Sequence, residues 1–174
     1  MPGLLFGLLN FSDRLLALID RYSGSEILVD TNLLILLLIG SYDLELISNF
    51  KGTKQFTQED YLALTLILGR FRRIVVTPNI LTEVNSFSNL LREDQKLGYF
   101  TLFAQVIAQL AEGYLPSIDV AKMVEFIRFG LTDAGILGLA RDTYLVLTTD
   151  ARLAVYLQRL GVDVINFNHF RNYL

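Results

Sequence analysis

Four carboxylates, Asp30, Glu83, Asp133 and Asp150, hold positions in this 174-residue chain that suit chemistry. Asp30 interrupts "ILVDTN", with three apolar residues before it and the apolar run "LLILLLIG" soon after. A buried, unpaired carboxylate is costly, so it is normally hydrogen-bonded, paired or bound to a metal. Asp30 ends a predicted strand, and Asp150 ends another in "LVLTTD". Glu83 lies about one turn into a helix that follows a strand, and Asp133 opens the helix before the strand of Asp150. In a parallel sheet the residue after a strand lies at the carboxyl edge, where open α/β sheets place their ligands. The four can therefore converge on one edge. Like charges packed that closely must take up protons or share cations. All-oxygen ligation suits Mg²⁺ or Mn²⁺. Such an ion lowers the pKa of a bound water and stabilises charge on a phosphoryl group. The chemistry expected is metal-assisted hydrolysis of a phosphodiester. Plainer roles compete: Asp133 and Asp150 also suit helix N-termini, where the helix dipole favours a carboxylate, and Glu83 suits an exposed helix face. Asp30 fits a plain role least.

Other chemistries find little support. His169 is the single histidine, so a histidine-based catalytic pair or zinc site is excluded, and in "NFNHFRNYL" it reads as a surface residue of a polar tail. With no cysteine there is no disulfide framework and no thiolate site. "FGLTDAGILG" lacks the spacing of a phosphate-binding P-loop. A haloacid-dehalogenase-type phosphatase would want an aspartate at position 32, where Asn32 stands. A net charge of −3 and a pI near 5.1 lack the basic excess of a protein that grips nucleic acid mainly by its phosphates. Arg70, Arg72 and Arg73 in "GRFRR" form either a local basic patch or a solvated face beside a strand. Tyr99, Phe100 and Phe103 form either a stacking surface for bases or the core of a helix.

The elements that must position these residues follow from periodicity. Residues 3–22 have helical spacing, and "SGS" breaks it. "EILVD" reads as a buried strand and "TNLLILLLIG" as a helix ended by Gly40. "YDLELISNF" suggests a further helix, and Thr57 suits the N-cap of "TQEDYLALTLILGRF". "RIVVT" is a second strand, after which Pro78 opens a helix at its first position. A charged connection, "REDQKLG", leads to a helix over 99–112, and another spans 118–129. Gly130 breaks the latter, and Thr132 suits the N-cap of "DAGILGLARD". "YLVLTT" is a third strand, "DARLAVYLQRLG" a helix closed by Gly161, and "VDVINF" a last strand. Gly135 and Gly138 sit inside a helix, where each costs up to about 1 kcal/mol against alanine unless something approaches closely. Buried strands alternating with helices predict an α/β layered fold with a mainly parallel sheet.

Length and composition predict one domain, 1–174. The hydrophobic fraction is 52% and the mean hydropathy +0.43, which raises the question of a membrane. The longest apolar stretch, Leu33 to Ile39, is far short of the roughly 20 residues a spanning helix needs. The first residues lack a basic region and a small-residue cleavage site, so no signal peptide is expected. A cytoplasmic protein without a membrane is the expectation.

In order along the chain, "ILVDTNLL", "VVTPNILTEV", "LTDAGILGLA" and "LVLTTD" resemble the PIN-domain family, which includes the VapC-type ribonuclease toxins. The likeness covers about residues 26–170. It implies a three-layer α/β/α fold whose acidic residues gather around Mg²⁺ or Mn²⁺ and cleave RNA. Asp30, Glu83, Asp133 and Asp150 match the acidic positions of the family, and Asn32 and Thr148 match positions that support them by hydrogen bonding. Toxin members are often shorter than this chain, which by the resemblance makes residues 1–25 an N-terminal helical extension. The resemblance implies a divalent-metal-dependent endoribonuclease, with an antitoxin-like partner and a homodimer as expected associations. The competing reading is a PIN-like binding or regulatory module with a weak or silent site, which acts through its leucine-rich N-terminal helix. A Rossmann-like small-molecule binder is disfavoured, because no glycine fingerprint follows the first strand.

Overall fold

Short buried strands and helices alternate through the chain. In the computed structural model, which describes residues 11–141 and 143–171, α1 (Phe11–Arg21) precedes β1 (Glu26–Val29) and α2 (Thr31–Tyr42). A 3-10 turn at Leu44–Leu46 leads to α3 (Gln58–Leu68), β2 (Arg73–Val76) and α4 (Pro78–Ser88). Then come α5 (Glu93–Ile107), β3 (Ala111–Glu112), α6 (Ser117–Val120) and α7 (Phe126–Ala140). β4 (Leu145–Thr148), α8 (Ala151–Arg159), β5 (Val164–Asn166) and α9 (Phe167–Arg171) complete the order. Of the expected extension over 1–25, residues 1–10 lie outside the described residues.

The five strands form one sheet in the order β3-β2-β1-β4-β5, and every pairing is parallel. Such a sheet must be covered on both faces, which is why β4 is buried along its whole length. Connections in parallel sheets are right-handed. The chain leaves β1 toward β2 and β3, then crosses to β4 and β5 on the other side. Right-handed crossovers therefore put α2 to α5 on one face and α7 and α8 on the other. Contacts agree, since α2 packs on α3, α4 and α5, while α7 packs on α8. The order reverses between β1 and β4, and that reversal opens a crevice at their carboxyl ends.

The apolar run after Asp30 becomes α2, in which Leu33, Leu34, Ile35, Leu36, Leu38 and Ile39 are all buried. A helix apolar on every side is an interior helix. The high mean hydropathy thus resides in a central helix between sheet and outer helices. Among the described residues, no helix is long and apolar enough to cross a membrane.

Several boundaries differ from expectation. Gly40 does not end α2. The helix continues to Tyr42, and a Cβ at Gly40 would lie 2.2 Å from the Tyr61 ring, so glycine serves the approach of α3. The segment after Tyr42 is a 3-10 turn capped by Asp43, not a full helix. "REDQKLG" is not a connection, because α5 starts at Glu93 and carries its charges in the first turn. That helix stops at Ile107, which frees Ala111–Glu112 to add a fifth strand. The helix expected over 118–129 is split into α6 and the start of α7. Gly138 is pressed by Leu115, whereas nothing in the structure explains Gly135. Thr57 does cap α3, in a reciprocal capping box with Asp60. Asp60 also meets Arg171 through two guanidinium nitrogens, so the supposed polar tail is helix α9, tied to the start of α3.

Candidate metal centre

The crevice between β1 and β4 takes its side chains from the residues that follow those strands. Asp30 ends β1 and caps α2, where its Oδ1 accepts from Leu33 N at 3.0 Å. Its Oδ2 accepts from Thr148 Oγ1 at 2.6 Å and from Thr149 N at 2.8 Å, both at the end of β4. Thr149 Oγ1 stands 3.4 Å away on the same oxygen. Burial pushes the Asp30 carboxyl above its ordinary pKa, and these hydrogen bonds, led by that of Thr148, oppose the shift. Asp30 therefore joins two strands and starts a helix, which accounts for a carboxylate inside so apolar a segment.

Asp150 caps α8 by accepting from Arg152 N at 2.7 Å and Leu153 N at 3.0 Å through one oxygen. Its own N–H donates to Thr148 Oγ1, so one hydroxyl links Asp30 to Asp150. Glu83 projects from α4 into a different pair of contacts. Thr31 Oγ1 donates to its Oε2 at 2.7 Å, and Thr132 Oγ1 donates to its Oε1 at 2.6 Å. Those two threonines adjoin Asp30 and Asp133, so Glu83 draws the starts of α2 and of the main part of α7 together. Gly130, at φ 75° and ψ −175°, breaks α7, and Asp133 lies in the first turn after the break. Thr132 is thus not the helix cap; its hydroxyl serves Glu83 instead.

Asp133 is the electrostatic centre of the group. Burial raises its pKa to about 6, and the charges of Asp150, Asp30 and Glu83 push the same way, while only Arg152 opposes. None of the four carboxylates forms an ion pair among the described residues. Negative charge gathered without an ion pair, in an all-oxygen donor set, fits a hard divalent ion. Among the described residues, however, no three acidic or histidine side chains stand as a finished cage for one ion. Donor chemistry and mutual repulsion fit a divalent ion. An open depression of about 490 Å³ adjoins the group, lined by Glu83, Thr132, Asp133 and Phe129.

The remaining candidates separate clearly. Asn32 Nδ2 donates to Thr149 Oγ1 rather than to a carboxylate. Tyr99 and Phe103 are buried in the core, so they offer no stacking surface. The arginines of "GRFRR" are spent on acids: Arg70 pairs with Asp20, and Arg72 and Arg73 with Glu26. His169 is exposed on α9. Thr31, Thr132 and Thr149 were missed as supporting residues, yet each stands next to a candidate aspartate in the chain, a usable signal. Compared with known proteins, the chain matches no protein-family model and no curated protein.

Proposed function

We propose that this chain is a divalent-metal-dependent endoribonuclease whose site comprises Asp30, Glu83, Asp133 and Asp150. One observation carries the reading: Asp133, raised to a pKa of about 6 first by burial, also feels the charges of Asp150, Asp30 and Glu83, and none of the four has an ion-pair partner among the described residues. The ordered motifs that resemble the PIN-domain family support it, since each of the four acids lies in one of them. Asp30, Asp133 and Asp150 would hold Mg²⁺ or Mn²⁺, with Glu83 completing the set. When bound, such an ion supplies an acidified water and counter-charge for phosphoryl oxygens. The chain's residues do the rest. Asp30 is fixed through both oxygens, which keeps one charge at a set position. Glu83, held by two threonine hydroxyls, has little freedom to turn away. Asp133 keeps a proton on its carboxyl below about pH 6, and a bound cation would favour its ionised form. The carboxylates are the bases within the group, while His169 is an exposed residue of α9.

The test is cleavage of a labelled, mixed RNA pool by purified protein with Mg²⁺, Mn²⁺ or EDTA, beside Asp133→Asn. Metal-dependent cutting that the variant loses supports the reading. The lack of a finished cage favours a second reading, a binding module with a silent site. Folded protein that binds metal but never cuts RNA would decide for it.

A further inference from the structure

A positively charged arm stands at the rim of the acidic depression. Phe129, which lines that depression, lies against Tyr156 with ring centroids 5.0 Å apart. The Arg128 guanidinium sits 5.1 Å from the Phe129 centroid and 5.2 Å from that of Tyr156. Arg152 approaches the Phe129 ring at 6.0 Å, and its charge is felt by Asp133. The ring pair is braced from behind. Buried Glu125 accepts from Arg141 at 2.8 Å and from the Tyr156 hydroxyl at 3.4 Å. Gly130, with its positive φ, turns the chain directly after Phe129.

The two guanidiniums are exposed, and neither forms an ion pair among the described residues. Both lie near aromatic rings, and Arg152 is also near enough for its charge to act on Asp133. A guanidinium lying on an aromatic face keeps its N–H edge free for hydrogen bonds to a planar or tetrahedral anion. A phosphate strand approaching four carboxylates meets repulsion, so positive charge at the rim is what admission of the strand requires. The arginines elsewhere that looked basic in sequence stand in ion pairs, Arg70 with Asp20 and both Arg72 and Arg73 with Glu26.

We propose that Arg128 and Arg152, carried on the Phe129–Tyr156 ring pair, form a subsite that holds backbone phosphates of an RNA strand beside the acidic depression. The proposal rests on the nuclease reading for its strand and position, but its test does not depend on cutting. Binding of a fluorescent single-stranded RNA of about 20 nucleotides is followed by anisotropy in EDTA across a salt series. The proteins are wild type, Arg128→Gln, Arg128→Lys and Arg128→Gln/Arg152→Gln, with Arg70→Gln as a paired-arginine control. Arg128→Gln is the cleanest variant, because Arg152 also acts on Asp133.

A lost phosphate contact lowers the slope of log K against log salt by about 0.7 for a single strand. Arg128→Gln is expected to lose that much, the double variant about twice that, and Arg128→Lys and Arg70→Gln little. Wild-type protein without salt-dependent binding, or a folded double variant with unchanged affinity and slope, overturns the subsite. Arm-dependent binding without cleavage keeps the subsite and removes the nuclease. Cleavage by a wild type whose double variant binds RNA unchanged does the reverse.

Discussion

Two aspartates of the same candidate site are expected to respond to substitution in opposite ways. Asp133 is crowded by burial and by three like charges, which raise its pKa to about 6. In the unfolded chain its pKa is near the ordinary value of about 3.9. Between those values the folded state holds a proton that the unfolded state has lost, so metal-free stability falls as pH rises from about 4 to about 6. Thermal melts in EDTA across that range should show this slope, and Asp133→Asn should flatten it. The variant should also be more stable than wild type at pH 7, by about 1 kcal/mol after solvent screening is allowed for. Asp30 has the opposite character. Each of its oxygens faces a fixed backbone N–H, from Leu33 on one side and Thr149 on the other. An amide accepts through one atom only, so Asp30→Asn turns a donor on a donor whichever way it is placed. Urea unfolding should find it destabilised by about 1–3 kcal/mol. Thr31 and Thr132 show where reading the residue types stops. Threonine next to a helix start can cap it or turn outward, and only the position of Glu83, 49 residues from Thr132 in the chain, decides.

Among the elements, the strands and the apolar helix were legible because burial writes a strong signal. "EILV", "RIVV", "LVLT" and "VIN" are β-branched or leucine-rich and lie in the sheet as their composition predicts. β3 was not legible, because two residues, Ala111 and Glu112, carry no periodicity. Gly40 was misread for a physical reason. Glycine marks both a helix end and a close approach, and the ring of Tyr61 that makes it the latter is remote in sequence. Gly40→Ala should therefore destabilise despite the better helix propensity of alanine. A loss of about 1–3 kcal/mol is expected from denaturant midpoints, with the slope against denaturant unchanged. A stabilised variant would mean that α2 and α3 do not meet as described.

At the scale of the molecule, the sheet order brings the acids together. β1 and β4 are neighbours although 114 residues and most of the fold separate Asp30 from Leu145, and chain order alone does not reveal that pairing. The alternation of strands and helices foretold a parallel sheet with its ligand edge at the carboxyl ends. Which two strands frame the crevice depended on the reversal between β1 and β4. On the proposed reading a cation would be a partner of the folded state alone, since the unfolded chain scatters the four acids. A ligand that binds only the folded state raises its melting temperature. The most direct measurement is the melting temperature at pH 7 with and without added Mn²⁺, for wild type and Asp133→Asn. The account predicts a clear rise for wild type and a much smaller one for the variant, whose metal-free value starts higher. Wild type that does not respond to Mn²⁺, or a variant that responds equally, would contradict the claim that these acids were brought together to hold a cation.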